Sequence, residues 1–175
     1  KLPDERQTLL FSATLSKEIE ALTHEFQKSP QLVQIGRRSN PAETVEQYVY
    51  EVSKGGKVPL LIHLLRDQGL ESVLVFSRTK HGADKIARKL VQTGITTATL
   101  HSNRSQNQRL AALKAFKSGA VRVLVATDIA ARGIDVEGIS HVVNFDTPGQ
   151  PADYIHRIGR TGRAQASGEA LTFVS

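Results

Sequence analysis

His156-Arg157-Ile158-Gly159-Arg160-Thr161-Gly162-Arg163 sets three arginines three residues apart, with two glycines between them and a histidine in front. Each guanidinium is a planar fork of donors that stays charged and matches the oxygens of a phosphate. Glycine lets backbone come close to a partner and permits positive φ. The octet can therefore present several cations to one multiply charged anion. It can also be the solvated basic end of a helix. The glycines weigh against a plain helix, because each costs about 1 kcal/mol in a helix interior.

Three further polar stretches have residue types suited to phosphate or sugar. Ser77-Arg78-Thr79-Lys80-His81-Gly82, His101-Ser102-Asn103-Arg104-Ser105 and Thr127-Asp128-Ile129-Ala130-Ala131-Arg132-Gly133-Ile134-Asp135 each follow an apolar run. Each leads toward a helix or turn whose free N–H groups can hold a phosphate. Arg109 falls in the first turn after Ser105, where it can meet a bound phosphate or form a surface salt bridge. Thr127 and Asp128 also suit a turn. Asp135 can cap a helix or accept from a ribose hydroxyl. His24, His63, His81, His101 and His141 read as ordinary histidines. They lack His-x-x-x-His and His-Glu-x-x-His spacing, which argues against a metal site.

The elements that must carry these loops follow from periodicity. Val73–Phe76 is a fully apolar run, as in a buried parallel strand. Residues 45–52, 97–100, 121–126, 141–145 and 170–174 read as further strands. Helices are expected over 58–65, over 80–91 with Ala83, Ile86, Ala87 and Leu90 inward, and from Ser105 to Gly119 with Leu110, Leu113 and Phe116 as the buried stripe. Ser105-Gln106-Asn107-Gln108 fits a capping box, and Pro151 suits the first turn of a short helix. Strands alternating with helices imply βαβ units and a parallel sheet with helices on both faces. Ligands in such sheets sit beyond the carboxyl ends of the strands. Upstream, Thr8–Phe11 reads as a strand, 16–27 as a helix capped by Ser16, and Leu32–Ile35 as another strand. Gly36–Pro41 reads as a linker.

The chain has 175 residues, 39% of them hydrophobic, with no cysteine and no apolar run long enough to span a bilayer. Disulfides and thiolate metal sites are thereby excluded, and a cytoplasmic protein is expected. Twenty-three Lys and Arg against 17 Asp and Glu give a formal charge of +6. Such a domain suits polyanions, nucleic acid first. With 5% aromatics, phosphate contacts are favoured over base stacking. No Gly-x-x-x-x-Gly-Lys-[Ser/Thr] occurs, so the chain can touch a nucleotide but hardly cradle one.

In order, Ser12-Ala13-Thr14, Val75-Phe76-Ser77-Arg78-Thr79-Lys80, Gln106-Asn107-Gln108-Arg109, Ala126–Asp135 and the octet resemble motif III, motif IV, the Gln-x-x-Arg element, motif V and motif VI of DEAD-box RNA helicases. The set is closest to the bacterial RhlE-like branch, and the leading histidine favours DEAD-box proteins over related helicases. The resemblance implies an α/β fold, a three-layer αβα RecA-like domain of the P-loop NTPase type with a mainly parallel sheet. It implies that residues 1–36 are the remnant of a first such domain, 37–44 a linker and 45–175 the second domain. Arg160 and Arg163 would be arginine fingers toward ATP, with His156 beside them. Gly133 and Asp135 would meet the ribose. Thr79, Gly82, Arg109, Thr127 and Arg132 would hold RNA by its sugar-phosphate, and Ser12, Thr14, His156 and Arg157 would couple the two lobes. ATP with Mg²⁺ would be held mainly by the first lobe, which this sequence lacks, so the chain alone is expected to be inactive as an ATPase. Partners would be single-stranded and duplex RNA and the first lobe, with no membrane. Residues 1–36 are expected to cover their strand edges on a neighbouring chain, as a crystal or exchanged dimer, or on a sheet edge. A non-catalytic RNA-binding module and half of a DNA translocase are the competing functions.

Overall fold

Val73-Leu74-Val75-Phe76 forms β2 (Val73–Phe76), with all four residues buried. Its neighbours explain why no polar residue interrupts it. A computed structural model, which describes residues 3–12, 17–33, 44–131, 136, 138–162 and 167–175, places β2 inside a six-stranded sheet. The other strands are β1 (Val45–Glu51), β3 (Thr97–Leu100), β4 (Val123–Ala126), β5 (His141–Asn144) and β6 (Gly168–Val174). Their order is β1-β6-β5-β2-β4-β3, and every pairing is parallel. Alternation along β2 sends its side chains to two separate cores. Val73 and Val75 join Leu61, Leu64 and Leu65 of α2 (Lys57–Asp67) and Ala83, Ile86 and Leu90 of α3 (Lys80–Gln92). Leu74 and Phe76 join Phe116 of α4 (Gln106–Lys117) and Ala130 and Ala131 of α5 (Asp128–Ala131). Ile158 of α6 (Pro151–Ile158) packs with Val45 and Ala170 beyond them. The result is the expected three-layer αβα architecture with an all-parallel sheet.

The local signals decide the helix starts. Thr79 caps α3 by accepting from the Gly82 N–H at 3.0 Å. Ser105 and Gln108 form the expected capping box at α4. Pro151 occupies the first turn of α6. One predicted stripe is corrected. Leu110 is 55% exposed, while Phe116 is buried and Leu113 half-buried with Ala112. The inward phase of α4 therefore runs through Ala112, Leu113 and Phe116. β4 and β5 are also shorter than their apolar runs, and β6 begins at Gly168 rather than Ala170.

The chain divides into two compact units, residues 1–40 and 41–175. In the first, α1 (Lys17–Phe26) forms as expected, its Ser16 cap lying outside the described residues. Thr8–Phe11 is not a strand, and neither are Leu32 and Val33. Leu9, Phe11, Leu32 and Val33 are exposed, with no neighbouring strand among the described residues to receive their backbone groups. An isolated strand has no ladder to stabilise it. The Thr8 carbonyl instead accepts from Gln27 Nε2 at 2.8 Å. The strand edges that motivated an exchanged dimer are thus absent from the described residues. Gln34, Ile35 and the linker through residue 43 lie outside them.

Candidate functional site

The octet spans the depth of the sheet: Arg157 lies against Phe76, Asp128 and Asp146 at the carboxyl ends of β2, β4 and β5, whereas Thr161 lies near the opposite end. α6 leaves the end of β5 and runs back along the sheet, and the Thr161 hydroxyl donates to the carbonyls of Ile139 and Ser140, which precede β5. Gly159 ends the helix, its N–H donating to the Ile155 carbonyl at 3.0 Å. Gly162 follows with φ +66°, where a Cβ would stand 2.6 Å from Val45 Cγ2. Gly168, unremarked in the sequence, does the same from the other side. A Cβ there would stand 2.5 Å from the Gly162 nitrogen. Close approach of the Thr161–Gly162 turn to the start of β1 therefore needs Gly162, and its approach to the start of β6 needs Gly168.

Arg157 is the buried centre of the region, 3% exposed. Its Nε and Nη2 donate to the two carboxylate oxygens of Asp128 at 2.6 and 2.7 Å. Its Nη1 donates to Asn144 Oδ1 at 3.2 Å and to the Asp146 carbonyl at 2.7 Å. The guanidinium carbon sits 5.0 Å from the centroid of the Phe76 ring. A fork–fork pair of this kind supplies both charge neutralisation and orientation. Arg157 is thus paired inside the second unit. Its charge is satisfied within its own domain, where it joins α6, the start of α5 and the end of β5. Asp128, read as a possible turn residue, is its counter-ion.

Asp146 extends the connection. Its carboxylate accepts from the Arg78 N–H at 2.9 Å and from the Ser77 hydroxyl at 3.3 Å, while its carbonyl takes Arg157. The loop after β2 and helix α6 thus share one residue. Sequence spacing carries no sign of Asp146, because its partners lie 11 and 68 positions away.

His156 and Arg160, both half-buried, line a recess with Asp128, Ala131 and Asp153. It holds about 20 Å³, room for a water rather than a nucleotide. The recess is too small to enclose a nucleotide. Arg163, Arg132, Gly133, Asp135 and Thr14 lie outside the described residues; Ser12 belongs to the first unit and is exposed.

The remaining predicted residues form a second group, after the carboxyl ends of the adjacent strands β2, β4 and β3. Thr79 and Gly82 make the first turn of α3, and a Cβ on Gly82 would stand 2.6 Å from Ser77 Oγ. Thr127 follows β4, half-buried, its N–H donating to the Leu100 carbonyl at 3.2 Å. Arg109 opens α4, and its Nε is buried without a hydrogen-bond partner. The Arg157–Asp128 pair joins this group to the recess, since Asp128 adjoins Thr127. Among the described residues no group of three His, Cys, Asp or Glu could hold a metal ion, and no helix is long and apolar enough to cross a membrane.

The model of the helicase conserved C-terminal domain matches residues 56–165. This chain belongs to that family, in its DEAD-box branch. It is 45% identical over 174 residues to the DEAD-box ATP-dependent RNA helicase CshA of Geobacillus kaustophilus, covering 99% of this chain and 37% of that protein. It is 44% identical over 169 residues to the ATP-dependent RNA helicase RhlB of Pseudomonas syringae pv. tomato, covering 97% and 43%. Among solved structures, S. cerevisiae Dbp5 bound to RNA and ADP BeF3 matches with a TM-score of 0.88 at 31% identity, over 99% of this chain and 46% of that one. The chain thus spans less than half the length of these relatives. They share the DEAD-box family and do not single out the RhlE-like branch.

Proposed function

We propose that this chain is the C-terminal lobe of an RNA-dependent ATPase that remodels RNA duplexes locally, working with a first lobe that carries the phosphate-cradling loop. Residues 45–175 form the second RecA-like domain, 37–44 the linker, and 1–36 the end of the first domain with Ser12 and Thr14. One observation supports this reading above the others: Arg157 fixes the helix that bears His156 and leads into Arg160 to Asp128, beside Thr127. A phosphate-facing group and an RNA-facing group are then held in one rigid frame.

The residues present fit one flank of a nucleotide. Arg160 and Arg163 would reach its γ-phosphate, and Gly133 and Asp135 its ribose. ATP with its Mg²⁺ would bring the reactive phosphoryl group. Thr79, Gly82, Arg109, Thr127 and Arg132 would hold RNA by sugar and phosphate, contacts that carry no base information. Two lobes bridged by both ligands would close, and loss of the bridge would reopen them. His156 would meet the first lobe at Ser12 and Thr14.

The test joins the chain to the upstream half that its relatives carry. RNA-stimulated ATP turnover is expected from the joined protein and not from the 175-residue chain alone. Arg163→Ala in the joined protein is expected to cut that turnover about 10³-fold or more. Turnover that survives Arg163→Ala would remove the finger assignment. RNA clamping without turnover would favour the binding module, and a preference for DNA over RNA the translocase.

A further inference from the structure

The loop between β3 and α4 is pinned to a different helix. Asp84, in the second turn of α3, accepts on the single oxygen Oδ1 from His101 Nε2 at 3.0 Å and from Arg104 Nη2 at 2.8 Å. Arg104 Nε donates to the Thr99 hydroxyl at 2.9 Å, and Lys80 Nζ donates to Asn103 Oδ1 at 2.8 Å. Three of the loop's residues are therefore tied to α3 or β3. The loop ends at Ser105, the cap of α4.

His101 makes this arrangement costly to lose. It is 1% exposed, and its Nδ1 already has no hydrogen-bond partner. Without the Asp84 carboxylate, both ring nitrogens would be buried unpaired, and Arg104 would lose its counter-charge. A buried polar group without a partner bears its full desolvation cost, so the loop must shift to rewet the ring. Such a shift would carry the first turn of α4 with it, Arg109 included, relative to Thr79 and Gly82 on α3.

We propose that Asp84 is a positioning residue for RNA: it sets the spacing between the α3 start and the α4 start, so that both grip one backbone. This rests on the RNA-binding reading given above. Asp84 itself, with His101 and Arg104 on its acceptor oxygen, need not touch the nucleic acid.

The joined protein carrying Asp84→Ala or Asp84→Asn tests this, by titrating RNA-stimulated turnover with single-stranded RNA and, separately, with ATP. Asp84→Ala is expected to raise the RNA concentration for half-stimulation roughly tenfold with the KM for ATP unchanged. Asp84→Asn keeps an acceptor oxygen and is expected to recover most of that loss, leaving about a threefold rise. RNA and ATP parameters that worsen together, alongside a lowered Tm, would mark Asp84 as a general stabiliser and overturn the proposal. So would unchanged RNA half-stimulation in both variants. Should Asp84→Ala not fold, Asp84→Asn decides: a rise on the RNA side alone supports the proposal, and no rise overturns it. A wild-type protein without RNA-stimulated turnover would instead fail the parent reading, and this inference with it.

Discussion

Arg157 and Arg160 have the same chemistry, three residues apart, yet they face different surroundings. The end of the helix separates them. Arg157 precedes Ile158 on the last helical turn and turns inward over Phe76, whereas Arg160 follows Gly159, where the helix has ended. A list of cations in the octet cannot make that distinction, because it depends on what lies opposite: an aromatic ring, an amide and a carboxylate from three other segments. Arg157→Ala is expected to destabilise the domain by about 2–4 kcal/mol in urea unfolding, below the value for a fully buried pair because Asp128 is one third exposed. Arg157→Lys is expected to recover only part of this, since one ammonium cannot span both carboxylate oxygens and the Asp146 carbonyl. Restored stability in the lysine variant would show that charge, not the fork, holds α6.

At the scale of elements, apolar runs were legible where both faces are buried. Val73–Phe76 and Val123–Ala126 have a core on each side, so the sequence leaves little choice. Leu110 and Thr8–Phe11 were misread for the opposite reason. Their apolar residues are exposed, and periodicity cannot tell a core-facing leucine from an outward one. The capping signal at Ser105 was legible because it acts within four residues; the Thr79 cap, equally local, was not read. Gly168 was not, since its requirement comes from the Thr161–Gly162 turn lying against it. Gly168→Ala is expected to cost about 1–3 kcal/mol, because the new Cβ meets the Gly162 backbone nitrogen and the Thr161 hydroxyl, which is itself held by the Ile139 and Ser140 carbonyls. Thermal unfolding of that variant checks this, and an unchanged Tm would mean that the turn can retreat freely.

For the molecule as a whole, His141 makes stability depend on pH just below neutrality. Burial holds its imidazole below the ordinary histidine range, and Glu169, 3.5 Å away and its register partner on β6, opposes this only in part. The unfolded chain then binds the extra proton first. Stability is full above the ordinary histidine value of about 6.5 and falls as pH drops toward the folded value. Asp84 acts lower. Burial would raise its pKa, but the hydrogen bond and charge of His101, with Arg104, outweigh that and lower it. Its contribution is present above the ordinary aspartate value of 3.8 and is lost as pH falls through the depressed one. The two losses occupy separate windows. His141→Asn is expected to flatten ΔG of unfolding between pH 7 and about 5 while leaving the acid limb. An unchanged slope there would assign it to another group.

The sheet order has a consequence for how the protein comes into being. Among the described residues β1 pairs with β6 alone, and Val45 lies opposite Gly168. On the ribosome β1 emerges long before its partner, and at 5–20 residues per second the delay is roughly six to twenty-five seconds. Through that interval the half-made domain has a free β1, Tyr48 and Val49 included, and no bound neighbour for it. The octet is translated just before β6, so the turn packed against that strand is among the last parts of this sheet to take shape.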